Sequence, residues 1–209
     1  MRCTAIADDS KEEFMKTANQ RRMSTETMVL GAALTALVII LQFMGAFIRF
    51  GPFSISLVLL PIVIGAATCG PKVSTWLGLI FGVIVLFTDA GAFLAVSIPG
   101  TIITVLVKGA ACGLAAGLVY KLLEKHNRYL AVVAAAVICP IVNTGIFLLG
   151  CVIFFLETIS SWGLVGGFDG TLEYMILGLV GGNFLFELGS NAILSPVIIR
   201  IMSIIKKKN

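Results

Sequence analysis

The sequence predicts an all-α integral membrane protein with six transmembrane helices and both termini in the cytoplasm, and three observations carry that expectation. The 209 residues are 58% hydrophobic and only 12% charged, with a mean hydropathy of +1.05, far from the balance of a soluble domain. The apolar residues gather in six runs, at about 27–48, 54–70, 73–88, 100–123, 130–157 and 175–205, on the scale of the roughly 17–25 residues that cross a bilayer. The basic residues obey one sidedness. Arg21, Arg22, Lys72, Lys121, Lys125, Arg128, Arg200, Lys206, Lys207 and Lys208 all fall on one side of six spans, and Arg49, Asp89, Glu157, Asp169 and Glu173 on the other. Positively charged flanks mark the cytoplasmic side.

The chain therefore divides into a polar cytoplasmic tail at 1–24, a six-helix membrane domain at 25–205 and a basic cytoplasmic end at 206–209. The tail, MRCTAIADDSKEEFMKTANQRR at its start, is too polar and too long before the first apolar run for a cleaved signal peptide. The first run carries a strip of small residues, Gly31, Ala32, Thr35 and Ala36, suited to close approach of another helix, from this chain or from a separate protein. The second and third runs are joined by CGPK, where Gly70 and Pro71 break the helix and make a tight hairpin. Gly78 and Gly82 on the third run, and Gly109, Gly113 and Gly117 on the fourth, repeat the GxxxG spacing that lets backbones touch. Pro140 in the fifth run removes a backbone hydrogen bond three residues before Asn143 and is expected to kink the helix. ISSWGLVGGFDGTLEY is expected as the one long outer loop, with Trp162, Phe168 and Tyr174 at the headgroup level or in a lid.

Several function classes are excluded by what the spacing lacks. The five cysteines include no CxxC pair, and the single histidine, His126, lies in a charged island, so neither a metal site nor a histidine-based triad is expected. No GxxxxGK[ST] loop is present for ATP, and no GxSG or GxGD stretch for intramembrane proteolysis. The net charge of +4 is explained by helix flanks facing anionic lipid and gives no face for nucleic acid. No cofactor is implied.

The polar residues inside the runs carry the functional expectation. Lys108 stands in TVLVKGAACGLAAGLVY, and a charge there costs at least ~2.5–3.5 kcal/mol to insert, so it should face protein or water. Asn183, Glu187 and Asn191 recur at i, i+4 and i+8 in the last run and share a face, with Glu187 the expected counter-ion of Lys108. Asn143 adds a group from the fifth run. Glu187 has no second carboxylate in the interior of the runs to pair with for acid–base work, which argues against catalysis. A membrane enzyme, or a helical scaffold locked by the Lys108/Glu187 pair, remains the alternative to a binding site.

The six-run pattern, the small-residue strip and the segment FGPFSISLVLLPIVIGAATCGPKVSTWLGLIFG from Phe50 to Gly82 together resemble the S components of energy-coupling factor (ECF) transporters, over about residues 25 to 205. The resemblance implies a subunit of a bacterial or archaeal cell membrane that captures a small water-soluble vitamin or precursor from outside. It implies a pocket built by the fourth, fifth and sixth helices and closed by outer loops, which assigns substrate binding to Lys108, Asn143, Glu187, Asn191, Asn183 and Arg49. It also implies a transmembrane coupling subunit that contacts Ala32 and Ala36, with Gly31 and Thr35 as extensions, and two cytoplasmic ATPase subunits that supply the energy. Lys108 with Arg49 would suit a carboxylate such as pantothenate, slightly ahead of riboflavin or another vitamin.

Overall fold

The computed structural model describes residues 25–46, 49–50, 53–54 and 57–207, with side chains for 25–46 and 57–200; the polar tail at 1–24 and the last two residues lie outside the described ones. The elements in chain order are α1 (Thr25–Ala46), β1 (Arg49–Phe50), β2 (Phe53–Ser54), α2 (Leu59–Cys69), α3 (Pro71–Thr88), α4 (Gly91–Leu94), α5 (Ile98–Leu123), α6 (Arg128–Phe154), α7 (Leu156–Val165), α8 (Thr171–Glu173), a π-helical segment (Tyr174–Gly181) and α9 (Gly182–Lys207). The strands are one two-residue antiparallel pair, with Arg49 opposite Ser54 and Phe50 opposite Phe53.

Five helical stretches are long and apolar enough to cross a bilayer: α1, α3, α5, α6 and the continuous Thr171–Arg200 stretch. The sixth expected span is the exception. α2 has 11 residues, about 16 Å of helix against a hydrocarbon core of roughly 30 Å. It is instead the centre of the molecule. α1, α3, α5, α6 and α9 form a row in which each packs on the next, and α2 touches all five. Leu59, Pro61, Ile62, Val63, Gly65 and Ala66 are buried in consequence. A helix enclosed by protein needs no membrane-spanning length. Large apolar side chains on the outside of the row, such as Phe87, Leu122 and Ile193, call for an apolar solvent.

The turn between α2 and α3 follows from two residues. Gly70 adopts φ +83°, a conformation open to glycine, and Pro71 opens α3 where its missing N–H costs nothing. Ser97 and Asn127 cap α5 and α6, the latter accepting from the backbone N–H of Tyr129 at 2.9 Å and Leu130 at 3.4 Å.

The glycine spacing sets the closest seam. A Cβ on Gly78 would strike the Gly109 carbonyl, one on Gly82 would lie 2.8 Å from the Val105 oxygen, and one on Gly113 would strike the Ser74 carbonyl. α3 and α5 are thus in backbone contact, reinforced by Ser74 Oγ donating to the Gly113 carbonyl at 2.8 Å. α6 lays Ala131, Ala135, Ala136 and Cys139 into the same core as Cys112, Ala116 and Tyr120 of α5.

The expected outer loop is largely helical. α7 takes up its first half, and Trp162 packs edge-on to Phe93 with ring centroids 5.5 Å apart. A second, smaller core of Phe93, Cys151, Phe155, Ile159, Met175 and Leu179 forms there, so this segment has an apolar interior of its own to bury and is held by it. The π-helical segment then feeds α9, its wider turn placing Met175 and Leu179 in that core.

Candidate functional site

A cavity lies where the main core and the smaller aromatic core meet, with Phe81, Val85, Ala90 and Val105 of the one and Phe93 and Phe155 of the other on its wall, and Phe147 packed beside the latter. Its volume is about 60 Å³, room for several waters.

Each helix contributes by its period. On α5, Thr101, Thr104, Val105 and Lys108 recur at i, i+3, i+4 and i+7 and present one face to the cavity. On α3 the spacing is four, giving Phe81, Val85 and Asp89; on α6 it brings Asn143 beside Phe147, and on α9 Asn183 beside Glu187. α1 supplies Gln42 near its C-terminal end. These positions lie toward the ends of α1, α3 and α6 and the starts of α5 and α9, so the cavity sits at the end of the bundle away from Lys72, Lys121, Lys125, Arg128 and Arg200.

Four of the six residues expected to bind substrate converge here: Lys108, Asn143, Asn183 and Glu187. Asn191 does not line the cavity. It is 1% exposed one helical step deeper, and its Nδ2 donates to the backbone carbonyl of Glu187 at 3.0 Å, bracing the helix under the site. Arg49 begins β1, and its side chain lies outside the described ones. Of the small-residue strip on α1, Ala32 and Ala36 are exposed and Thr35 is half-buried, its hydroxyl donating to the Gly31 carbonyl at 2.8 Å. Gly31 faces inward, where an added Cβ would lie 3.4 Å from Val73, so it belongs to the α1–α3 packing and not to an outer contact face.

Two expectations about charge are corrected. Lys108 and Glu187 interact across space but form no salt-bridge contact among the described residues. The Lys108 ammonium stands over two rings instead, 5.2 Å from the Phe147 centroid and 5.7 Å from that of Phe81, a geometry in which the ring faces attract the cation. Glu187 is held on its own helix, its Oε1 accepting from Asn183 Nδ2 at 3.3 Å. Glu187 is also not the only carboxyl near the site. Asp89, expected on the outer surface, lines the same cavity, and its Oδ2 accepts from Gln42 Nε2 at 2.7 Å and from the Thr88 hydroxyl at 2.9 Å.

The polar wall is left incompletely bonded. Thr104 Oγ1, Asn143 Oδ1, Asn183 Oδ1 and Glu187 Oε2 are buried without a hydrogen-bond partner, although Thr104, Asn143 and Glu187 are only 5%, 6% and 2% exposed. Buried polar atoms are almost always paired, and several orphans on one cavity wall mark a place for an incoming molecule or water.

The sequence reasoning missed Gln42, Asp89, Thr101 and Thr104. Thr101 and Thr104 were accessible, since they share the helical face of Lys108. Gln42 and Asp89 sit near helix ends, where a polar residue carries no signal distinguishing a site from a flank.

A family model described as the substrate-specific component of ECF transporters matches residues 26–199. No curated protein and no solved structure matches the chain.

Proposed function

Because the chain belongs to the family of ECF transporter substrate-specific components, we propose that it is the membrane-embedded subunit that captures a small water-soluble vitamin or precursor for an ECF-type, ATP-driven importer. The observation that carries the reading is the cavity where Lys108, Asn143, Asn183 and Glu187 meet from three helices with buried polar atoms unfilled. A scaffold would close such a cluster on itself, since half-satisfied buried networks weaken a fold. In this reading the cavity faces outside, both termini are cytoplasmic in a bacterial or archaeal membrane, and Ala32 and Ala36 on the exposed side of α1 meet the transmembrane coupling subunit, with Thr35 beside them. ATP hydrolysis belongs to the two ATPase subunits.

The test is a thermal-shift screen of the purified chain against water-soluble vitamins and their precursors, joined to co-expression with the coupling and ATPase subunits of its own cell. A ligand at 100 times its dissociation constant adds about 2.7 kcal/mol of stability. A single strong hit and a complex that survives purification are expected. Absence of both would overturn the reading.

A further inference from the structure

We infer that the cavity takes a flat, amino-substituted nitrogen heterocycle, uncharged or carrying one positive charge, and rejects a simple carboxylate anion. The inference rests on the substrate-binding reading above and names the ligand class of that same site.

The side chains facing the cavity are unbalanced toward acceptors. Among the described residues of the wall, one ammonium, Lys108, stands with two carboxyl groups, Glu187 and Asp89, the latter already hydrogen-bonded to Gln42 and Thr88. The donors the wall does possess are largely committed: Gln42 Nε2 donates to Asp89 at 2.7 Å and Thr88 at 3.1 Å, and Asn183 Nδ2 to Glu187 at 3.3 Å. The second contact orients the Asn183 amide, because turning it over would bring its oxygen against the carboxylate. What remains open is oxygen: Glu187 Oε2, Asn143 Oδ1, Asn183 Oδ1 and the hydroxyl of Thr104. A molecule that fills these positions brings several N–H groups, and a carboxylate brings none.

The shape of the site points the same way. Phe81, Phe93, Phe147 and Phe155 line it, with Phe93 edge-on to Phe147 and Phe155 at centroid distances of 5.6 and 5.1 Å. Such rings hold a planar π-system or a cation. Lys108 Nζ, already above Phe147 and Phe81, supplies the one charged donor among the described residues of the wall, which matches a ring nitrogen or hydroxyl acceptor on the ligand. The sequence alone slightly favoured an anion because Lys108 with Arg49 would suit a carboxylate. A bare carboxylate brings no N–H to the orphaned oxygens and stands against Glu187 among them.

The experiment measures binding of defined probes to the full chain in lipid nanodiscs by calorimetry: thiamine, pyridoxamine and 2,4-diaminopyrimidine against pantothenate and nicotinate. At least one amine-bearing probe is expected to bind, and Asp89→Asn, which keeps the acceptor for Gln42, is expected to weaken it at least tenfold. Thr104→Val, isosteric and uncharged, is expected to weaken it severalfold while the protein melts where the wild type does. Binding of a carboxylate probe alone, or an amine probe indifferent to both substitutions, overturns the ligand class and leaves the importer reading standing. Failure of every amine-bearing probe also overturns the class, and assembly with the coupling and ATPase subunits then decides whether the importer reading falls with it.

Discussion

Replacing Lys108 with methionine separates a lysine that serves a ligand from one that ties helices together. Methionine keeps the stem and much of the volume and deletes the charge. In the structure that charge makes no salt bridge among the described residues; it rests over Phe147 and Phe81 at 5.2 and 5.7 Å, contacts worth roughly 0.5–2 kcal/mol. Removing them is offset by no longer burying an ammonium, so the net change in stability is expected within ~1 kcal/mol. For a chain of this length that is a shift of at most about 4 °C in Tm. A structural clamp predicts otherwise. Breaking a buried ion pair costs about 3–5 kcal/mol, or roughly 6–20 °C at 2–4 °C per kcal/mol. Ligand affinity moves in the opposite sense. A charge-assisted hydrogen bond to a ligand acceptor contributes ~1.5–3 kcal/mol, so Lys108→Met is expected to weaken binding from about tenfold to somewhat over a hundredfold. The assay is calorimetric binding of the compound found in the thermal-shift screen, with Tm measured on the same preparation. Unchanged affinity with a Tm fall beyond 10 °C, roughly the midpoint of the clamp range, would refute the assignment of Lys108 to the site.

Three further outcomes follow from the packing. Gly113→Val forces a side chain against the Ser74 carbonyl and should cost at least about 1–3 kcal/mol, seen as a lowered Tm, whereas Gly189→Ala, with nothing within 4 Å of its Cβ, should not lower it. Asn127→Ala removes the cap bonded to the N–H groups of Tyr129 and Leu130 and should cost ~1 kcal/mol without altering ligand affinity. Ala36→Trp enlarges an exposed position on α1 and is expected to abolish uptake in cells carrying the whole transporter while the isolated chain binds ligand as before; unchanged uptake would remove α1 from the coupling contact.

How far the sequence reached depends on which physical signal each part leaves. The long helices were legible because a bilayer demands an unbroken apolar run, and the observed α5 (Ile98–Leu123) and α3 (Pro71–Thr88) lie within two residues of the expected limits. α2 was over-extended, since an apolar run reads alike whether lipid or protein surrounds it, and the pairing of Arg49–Phe50 with Phe53–Ser54 precedes the helix. Lys108, Asn143, Asn183 and Glu187 stood out as polar groups where polarity is expensive. Distance did not: only the three-dimensional placement shows that Lys108 rests on rings while Glu187 bonds Asn183. The aromatic wall was hidden for a different reason, because Phe81, Phe93, Phe147 and Phe155 look in sequence like any membrane-facing phenylalanines.

In the proposed reading, capture at the cavity engages helices of the periphery as well as of the middle. α3, α5 and α6 form its dense middle, locked by the glycine seam and the alanine face of α6, while α1 and the last helical stretch are the least buried of the long helices, each with 22% of its apolar window buried against 39–44% for the middle three. The wall draws Thr104, Lys108, Asp89 and Asn143 from the middle, but Gln42 from α1 and Asn183 with Glu187 from α9. A ligand filling the orphaned oxygens of Thr104, Asn143, Asn183 and Glu187 would bridge the buried α5 and α6 with the more exposed α9. Among the described residues α1 reaches the wall through Gln42, whose Nε2 donates to Asp89 Oδ2 at 2.7 Å. The exposed Ala32 and Ala36 lie on a neighbouring face of that helix, about 80–120° round from Gln42. In the proposed transporter, where the coupling subunit would meet α1, Gln42 is the side chain among the described ones that connects the cavity wall with that helix. Gln42→Leu is accordingly expected to lower ligand-dependent uptake more than it lowers ligand affinity, and an equal fall in the two would confine Gln42 to the binding wall.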